Sequence, residues 1–197
     1  MSADLAAVII AGGRARRLGG VCKPLLDVGG RSLLARVRAA IGNGIPVALS
    51  TTDPPPQELM SAGLPLLADG AFSGRGPLAG LLAGLDWAAA NGAAWLLSVP
   101  GDMPFLPERL ALRLHPGPSV ATCGGQVQYL VALWPIAARP ALIAFLAGPA
   151  PHSVWRFVAS LNARKVDFPA SSCERFLNIN TPEDLDQARR LAEEAGL

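Results

Sequence analysis

The hydrophobic positions in the first half of the chain form two alternating kinds of segment. Short continuous apolar runs, each closed by glycine or polar residues, predict strands buried on both faces at residues 5–10, 45–49, 64–68 and 94–99. Between them, apolar residues at helical spacing predict helices at residues 32–41, 53–62 and 77–91. This alternation predicts an α/β fold, a Rossmann-like three-layer sandwich around a mostly parallel, doubly wound sheet.

The second half of the chain is less regular. Apolar runs predict strands at residues 119–122, 127–134 and 165–168, and helical spacing predicts helices at residues 137–147, 153–160 and 182–195. The last helix has the clearest start, with Thr181 as its cap, Pro182 in the first position and two acids in the first turn. A length of 197 residues fits one domain with a sizeable core, so we expect a single domain over residues 1–197.

Composition narrows the class of protein. Although 51% of the residues are hydrophobic, the longest apolar stretch, at residues 77–90, contains Asp86 and is shorter than the roughly 20 residues that span a bilayer. No basic and apolar leader opens the chain, so we expect a cytoplasmic protein. A scattered net charge of +2 argues against a nucleic-acid surface. The odd number of cysteines, without metal-like spacing, predicts free thiols at Cys22, Cys123 and Cys173.

The first loop with candidate chemistry follows the strand that ends at Ile10. Ligands of doubly wound sheets bind outside the carboxyl ends of the strands, and four glycines in this loop let backbone N–H groups approach phosphate oxygens closely. Arg17 and Lys23 add positive charge for those phosphates. Since the loop matches neither G-x-G-x-x-G nor G-x-x-x-x-G-K-[ST], a glycine-rich turn with solvated arginines stays open as the alternative.

Two aspartates follow the predicted third and fourth strands. Asp102, fixed between prolines, is well placed to hold a divalent cation against phosphates, and Asp69 ends the third strand. For each, the alternative is a carboxylate that caps the following turn. His115 and His152 lie far from these loops in the sequence and are expected at the surface. No Ser/His/Asp or Cys/His arrangement can be argued from the sequence.

Four motifs occur in order along almost the whole chain. They are Ile10-Ala11-Gly12-Gly13 with Arg17-Leu18-Gly19-Gly20 and Lys23, Gly76-Pro77-Leu78-Ala79-Gly80, Gly101-Asp102-Met103-Pro104, and Asn178-Ile179-Asn180-Thr181-Pro182-Glu183-Asp184-Leu185. Together they resemble the molybdenum cofactor guanylyltransferase family. The resemblance implies the fold of nucleotide-diphospho-sugar transferases, with a nucleotide-binding half over about residues 1–105 and an acceptor-binding half over about residues 106–197.

The resemblance also implies an activity: transfer of GMP from GTP to the terminal phosphate of molybdopterin, with release of pyrophosphate. The implied nucleotide-binding residues are Ile10, Ala11, Gly12, Gly13, Lys23, Asp69 and Asp102. The implied catalytic residues are Lys23, Arg17 and Asp102, with Asp102 as the ligand of Mg²⁺. Asn178 and Asn180 are implied on the acceptor side, with side chains that only order a turn as the alternative. Because an acceptor phosphate is already anionic, positioning and charge neutralisation suffice and no general base is needed.

Three positions depart from the family pattern. Cys22 stands where an acid normally precedes the loop lysine, Ser50 stands for an asparagine near the end of the second strand, and a proline-containing segment reads Gln128-Tyr129-Leu130-Val131. A cytidylyl- or other nucleotidyltransferase of the same fold, or a non-catalytic nucleotide-binding adaptor, therefore stays open. The paired glycines of this motif favour guanine, because related cytidylyltransferases tend to read L-A-A-G where this chain reads Ile10-Ala11-Gly12-Gly13. We expect a monomer or weak oligomer, with transient contacts to molybdenum cofactor insertion proteins or molybdoenzymes and none to nucleic acid or membranes.

Overall fold

A computed structural model describes residues 4–12, 22–51, 54–194 and 196. The strands are β1 (Leu5–Ile10), β2 (Asp27–Val28), β3 (Arg31–Ser32), β4 (Val47–Ser50), β5 (Leu66–Leu67), β6 (Trp95–Pro100), β7 (Ser119–Cys123), β8 (Gln126–Pro135) and β9 (Arg164–Phe168). The α-helices are α1 (Leu33–Ile41), α2 (Pro77–Ala90), α3 (Leu110–Leu114), α4 (Arg139–Ala147), α5 (Val154–Ser160) and α6 (Pro182–Glu194). Short 3₁₀ segments lie at Lys23–Leu25, Gln57–Ala62, Gly70–Phe72, Ile136–Ala138 and Ala170–Phe176.

Seven strands form the central sheet, in the order β5-β4-β1-β6-β8-β7-β9. The first four of these run parallel, as the alternation of strands and helices predicted. β8 is antiparallel to both of its neighbours, whereas β9 is parallel to β7. The reversal follows from the turn between β7 and β8, where Gly124 and Gly125 both have positive φ, as a tight two-residue hairpin requires. The prediction of a mostly parallel sheet is confirmed.

Helices cover both faces of this sheet. Alternate residues of β1 point to opposite sides, so that Ala7 and Ile9 pack against α1 and α3, whereas Ala6 and Val8 pack against α2, α4 and α5. All four side chains are almost completely buried. A third apolar cluster, which includes Val28 of β2, holds α6 against the β2–β3 hairpin. The three predicted layers are therefore present, with α6 added at one edge.

The helix α2 packs unusually closely on the sheet. A Cβ atom on Gly84 would lie 2.8 Å from Cγ1 of Val8, and one on Gly80 would collide with the hydroxyl of Ser50. The glycines of this helix thus allow the backbone to approach β1 and β4. In the part of the chain that the structure describes, no helix is long and apolar enough to cross a membrane.

The sequence-based prediction fails in the segment between β4 and β5. We expected a helix over residues 53–62, but among the described residues only the 3₁₀ turn Gln57–Ala62 forms there. Three successive prolines, from Pro54 to Pro56, explain the difference, because each proline disfavours the α conformation in the residue before it. Within residues 22–51 the β2–β3 hairpin was not predicted either, since its strands are only two residues long.

The expectation of three free thiols is wrong for two of them. Cys123 and Cys173 form a disulfide, with their Cα atoms 5.4 Å apart, and only Cys22 is free. The parallel pairing of β7 with β9 places Cys123 beside Phe168, and the turn Ala170–Phe176 then returns Cys173 to the end of β7. Because 50 residues separate the two cysteines in sequence, their spacing alone could not reveal this pairing.

Candidate active site

Three polar side chains meet at the carboxyl ends of β1 and β6. The Nζ atom of Lys23 lies 2.8 Å from Oδ2 of Asp102 and 2.9 Å from Oδ1 of Asn180. The side chains of Lys23 and Asp102 are only 14% and 23% exposed, so their attraction is screened less than that of a surface ion pair. The structure therefore brings together three of the residues that the motifs singled out, from both halves of the chain.

The turn that carries Asp102 lies directly against the end of β1. The backbone N–H of Gly101 donates to the carbonyl of Ile10 at 2.9 Å, continuing the pairing of β1 with β6. A Cβ atom on Gly101 would lie 3.1 Å from Cβ of Ala11, so a larger residue would push the two loops apart. Glycine at this position thus lets Asp102 stand beside the first loop.

Asn180 is fixed by the start of α6. The N–H of Ile179 donates to the carbonyl of Asp102 at 3.0 Å, which ties this segment to the end of β6. The carboxylate of Asp184 accepts from the N–H groups of Asn180 and Thr181, both at 2.8 Å, and the Thr181 hydroxyl accepts from the N–H of Asp184. This reciprocal cap confirms the predicted helix start. The bond from the N–H of Asn180 contributes most to lowering the pKa of Asp184, with help from Thr181 and the charge of Lys23 against the opposing effect of burial.

The remaining oxygen of Asp102 is suited to a cation. Among the described residues, Oδ1 of Asp102 is buried and has no hydrogen-bond partner. It belongs to a residue that lines a cavity of about 40 Å³, together with Ile10, Ala11, Lys23, Pro24 and Gly101. The described part of the chain holds no group of three His, Cys, Asp or Glu side chains that could cage a metal. A single carboxylate fits Mg²⁺ well, since this ion keeps several waters and takes further oxygens from substrate phosphates.

Asp69 lies at the same edge of the sheet but several strands away. Three strand spacings, from β5 through β4 and β1 to β6, amount to about 14 Å. The side chain of Asp69 does not cap the turn that follows. The alternative of a capping carboxylate is therefore wrong for this residue. It is wrong for Asp102 as well, because one of its carboxylate oxygens bonds Lys23 and the other has no partner among the described residues. Burial raises the pKa of Asp69.

Only part of the glycine-rich loop lies within the described residues. Gly13, Arg17, Gly19 and Gly20 lie outside them, so their contribution to a phosphate site stays a prediction. The N–H of Ala11 donates to the carbonyl of Ser50 at 2.9 Å and is thus not free for a phosphate oxygen. A Cβ atom on Gly12 would meet nothing within 4 Å, which leaves open space for a ligand beside this residue.

Cys22 does not replace the acid that was expected before Lys23. Burial, and to a lesser extent the nearby charge of Glu58, raise the pKa of its thiol, which keeps the group neutral. Its carbonyl accepts from the N–H of Leu25 and so closes the short turn that carries Lys23. Asp102 and Asn180 orient the lysine instead.

Three further residues considered in the sequence analysis, Asn178, His152 and His115, lie in different surroundings. Asn178 and Asn180 are both exposed, but only the side chain of Asn180 forms a hydrogen bond, with Lys23, among the described residues. His152 is closer to a ligand-side loop than its sequence position suggested, because its Nδ1 lies 2.9 Å from Nη1 of Arg75, just before α2. His115 is exposed, as expected, and contacts the Trp95 ring. The sequence carried no signal for the Arg75–His152 contact, which spans 77 residues.

Comparisons with known proteins identify the family. Residues 7–165 match the model of the MobA-like NTP transferase domain. A molybdenum cofactor guanylyltransferase from Acidiphilium cryptum is 47% identical over 184 residues, which are 93% of each chain. Another, from Rhodopseudomonas palustris, is 40% identical over 94% of this chain and 93% of its own.

Solved structures share the fold at lower identity. Molybdopterin-guanine dinucleotide biosynthesis protein A from Archaeoglobus fulgidus has a TM-score of 0.73 at 20% identity, covering 96% of this chain and 99% of its own. The 2-C-methyl-D-erythritol 4-phosphate cytidylyltransferase from Thermus thermophilus has a TM-score of 0.64 at 22% identity, covering 95% and 98%. The match to the domain model and the near-full-length similarity to these relatives lead to one conclusion: this chain belongs to the family of MobA-like NTP transferase domains.

Proposed function

We propose that this protein is a molybdenum cofactor guanylyltransferase, which transfers GMP from GTP to molybdopterin and forms the guanine dinucleotide form of the cofactor. Relatives with that name are 37–47% identical to it over at least 93% of the chain. The observation that carries the proposal for the site is the contact of Lys23 with both Asp102 and Asn180. This contact joins the nucleotide-binding half, about residues 1–105, to the acceptor-binding half, about residues 106–197.

GTP would extend along the carboxyl ends of the parallel strands. The guanosine lies near Asp69, and the triphosphate reaches Lys23, at a separation of about 14 Å, as estimated from the strand spacing. Ile10, Ala11, Gly12 and Gly13 border the nucleotide, and Arg17 and Lys23 neutralise its phosphates. The N–H of Ala11 is already bonded to Ser50, so this residue contributes its side chain to the wall.

Mg²⁺ is the proposed metal, held by Asp102. The buried Oδ1 atom, which has no partner among the described residues, supports this assignment, and such an ion would take further oxygens from water and phosphate. When bound, such an ion stabilises negative charge on the phosphate oxygens. Lys23 holds the other oxygen of the same carboxylate and fixes its orientation.

In the transfer, an oxygen of the molybdopterin phosphate attacks the α-phosphorus of GTP. A new phosphorus–oxygen bond forms while the bond to the β-phosphate breaks, and pyrophosphate leaves with the electron pair. The attacking phosphate is already anionic, so no proton has to be removed and the chain needs no histidine at the centre. Lys23 neutralises charge that develops in the transition state, and Asn180 holds both this lysine and the acceptor in place.

The acceptor would bind on the side of Asn178 and Asn180. Asn180 reaches the lysine and is ordered by the cap of α6, whereas the exposed side chain of Asn178 is open to a ligand. Transient contacts with molybdenum cofactor insertion proteins or molybdoenzymes, a monomeric or weakly oligomeric state and a cytoplasmic location stay predictions.

Transfer of another nucleotide is the main rival, because cytidylyltransferases share the fold. The test is pyrophosphate release by the purified protein with Mg²⁺ and molybdopterin, with GTP or CTP offered separately. Release with GTP alone is expected, and release with CTP alone would overturn the proposal. Tight nucleotide binding without turnover would identify a non-catalytic adaptor instead.

A further inference from the structure

A second and larger cavity lies away from the Lys23–Asp102 centre. Its volume is about 430 Å³, and it is an open pocket lined by residues of β3, α1, α6, the segment after β6 and the turn Ala170–Phe176. Volumes of about 300–1,000 Å³ are typical of pockets that bind small molecules. Among the described residues, none lines both this cavity and the smaller one at Asp102. Its apolar surface comes from small or aliphatic side chains and one aromatic ring: Ala39, Ala40, Leu106, Leu191 and Phe105.

A buried arginine forms one wall of this cavity. Arg36 is only 5% exposed, its Nε donates to the carbonyl of Val28 at 2.7 Å, and its Nη2 donates to that of Gly29 at 3.2 Å. The guanidinium carbon lies 5.7 Å from the centre of the Phe105 ring. The carbonyl bonds hold the group in a fixed orientation and leave Nη1 without a hydrogen-bond partner in the part of the chain described.

No carboxylate of the described residues forms an ion pair with Arg36. Within the described residues no carboxylate lies within the 4.0 Å of an ion pair, and the nearby Asp27 already accepts from the N–H of Gly30. Burial and the charge of Arg31 lower the pKa of Arg36, and Asp27 only partly opposes this effect. Burial of an unpaired charge is costly unless a counter-ion arrives.

The other charged side chains that line the cavity determine how much negative charge a ligand can carry. Arg31 and Arg175 add two cations, and Glu108 and Glu174 add two carboxylates, none of them in an ion pair with a described residue. With Arg36 the cavity has three positive and two negative side chains. This balance favours a single anionic group beside the arginines, and it disfavours a polyanion such as a triphosphate.

We propose that this cavity binds a small phosphate monoester with a flat ring, at a site separate from the one that transfers the nucleotide. The phosphate would accept from Nη1 of Arg36 and from Arg31 or Arg175, whose planar guanidinium groups match phosphate oxygens. The ring would lie against Phe105 and the small side chains of α1. A phosphate alone would leave the apolar surface of the cavity uncovered, and a ring alone would leave the charge of Arg36 without a counter-ion.

Phenyl phosphate is a suitable probe, because it carries one phosphate and one flat ring and contains no nucleoside. Its binding to the full chain is followed by shifts of backbone amide signals in NMR, with phenol and inorganic phosphate as comparison ligands. Saturable binding is expected, with shifts concentrated on the residues of this cavity. Phenol and inorganic phosphate should each bind at least about tenfold more weakly, which corresponds to about 1.4 kcal/mol.

Variants separate this site from any binding at the smaller cavity. Arg31→Gln and Arg175→Gln, both exposed and free of structural hydrogen bonds among described residues, should each weaken phenyl phosphate binding about tenfold. Ala40→Phe should abolish binding by filling the cavity, and Arg156→Gln, on the remote helix α5, is the matched control. Unchanged affinity in both rim variants, shifts that centre on Lys23 and Asp102, or absence of saturable binding would each overturn the proposal. The assay contains no GTP or molybdopterin, so its outcome is independent of the proposed transfer reaction.

Discussion

The Nζ atom of Lys23 lies 2.9 Å from Oδ1 of Asn180, although 157 residues separate them in the chain. Asn180 owes its position to the capped start of α6 and to the bond between Ile179 and Asp102. In the proposed reaction, the lysine that would face the nucleotide is thereby oriented by a residue on the proposed acceptor side. The proposal therefore makes the alignment of the two substrates depend on one hydrogen-bonded centre.

Replacing Asn180 should therefore impair transfer more than stability. Asn180→Ala removes a hydrogen bond to a charged group, worth about 1.5–3 kcal/mol, so kcat/KM for molybdopterin should fall roughly 10- to 150-fold. Asn178→Ala is the matched control for position, because its side chain has no hydrogen bond with described residues; it should change KM for the acceptor without a comparable fall in kcat. Equal kcat values for Asn180→Ala and the unaltered protein would show that Asn180 does not orient Lys23.

The thiol of Cys22 should be dispensable for the reaction. Asp102 and Asn180 already orient Lys23, and a neutral thiol adds no charge to the centre. Cys22→Asp should therefore preserve or raise the rate of transfer, and Cys22→Ser should leave it nearly unchanged. Steady-state kinetics with GTP as the varied substrate provide the measurement. A loss of more than about tenfold in both variants would assign the thiol a role that its contacts do not explain, since tenfold is about 1.4 kcal/mol.

Asp184 should give the fold a defined dependence on pH. Its pKa is lowered in the folded state, so its contribution is present above the pKa of about 3.9 in the unfolded chain and is lost as the pH falls through the folded-state value. Asp184→Ala should lower the free energy of unfolding by about 1 kcal/mol at neutral pH, the usual cost of losing a helix cap. Denaturant titrations between neutral and acidic pH should show the two proteins converging below about pH 4. A difference that stays constant with pH would exclude an ionised cap.

Two measurements test the disulfide: the number of free thiols per chain and the free energy of unfolding. Protein purified without reductant and unfolded in denaturant should titrate one thiol per chain, that of Cys22, because Cys123 and Cys173 are bonded to each other. Cys173→Ser should lower the free energy of unfolding by about 2–4 kcal/mol, the range typical of disulfides. Cys22→Ser serves as the control and should leave it nearly unchanged. Three titrating thiols would contradict the bond.

The site residues that follow buried strands could be predicted from the sequence. Lys23 and Asp102 could be located because the carboxyl ends of parallel strands meet at one edge of the sheet. The continuous apolar run of β1 also indicated that both faces of this strand are covered. Asn180 was found only through the resemblance of its motif, and nothing in the spacing of residues showed that it contacts Lys23. Its position depends on how α6 packs against the β2–β3 hairpin, whose strands are too short to leave a pattern.

Features made by several distant segments could not be predicted. The bond between Cys123 and Cys173 depends on the register of β7 with β9, and the large cavity at Arg36 depends on the packing of four separate segments. The helix predicted over residues 53–62 is absent among the described residues for a local reason: Asp53-Pro54 matches a helix start, but three successive prolines disfavour the α conformation. Long-range packing and proline geometry thus mark the limits of the sequence-based predictions.

The central claim is that GMP transfer takes place at the Lys23–Asp102 centre. The most direct measurement uses GTP labelled at its α-phosphate, with molybdopterin and Mg²⁺, and follows the label into the dinucleotide product under single-turnover conditions. Lys23→Ala and Asp102→Ala are compared with Lys165→Ala and Asp86→Ala, which remove exposed residues of the same types, and circular dichroism verifies that all four are folded. We expect labelled product from the unaltered protein and both controls, and transfer about 100- to 1,000-fold slower in each centre variant. Transfer at the unaltered rate in folded Lys23→Ala and Asp102→Ala would contradict the account.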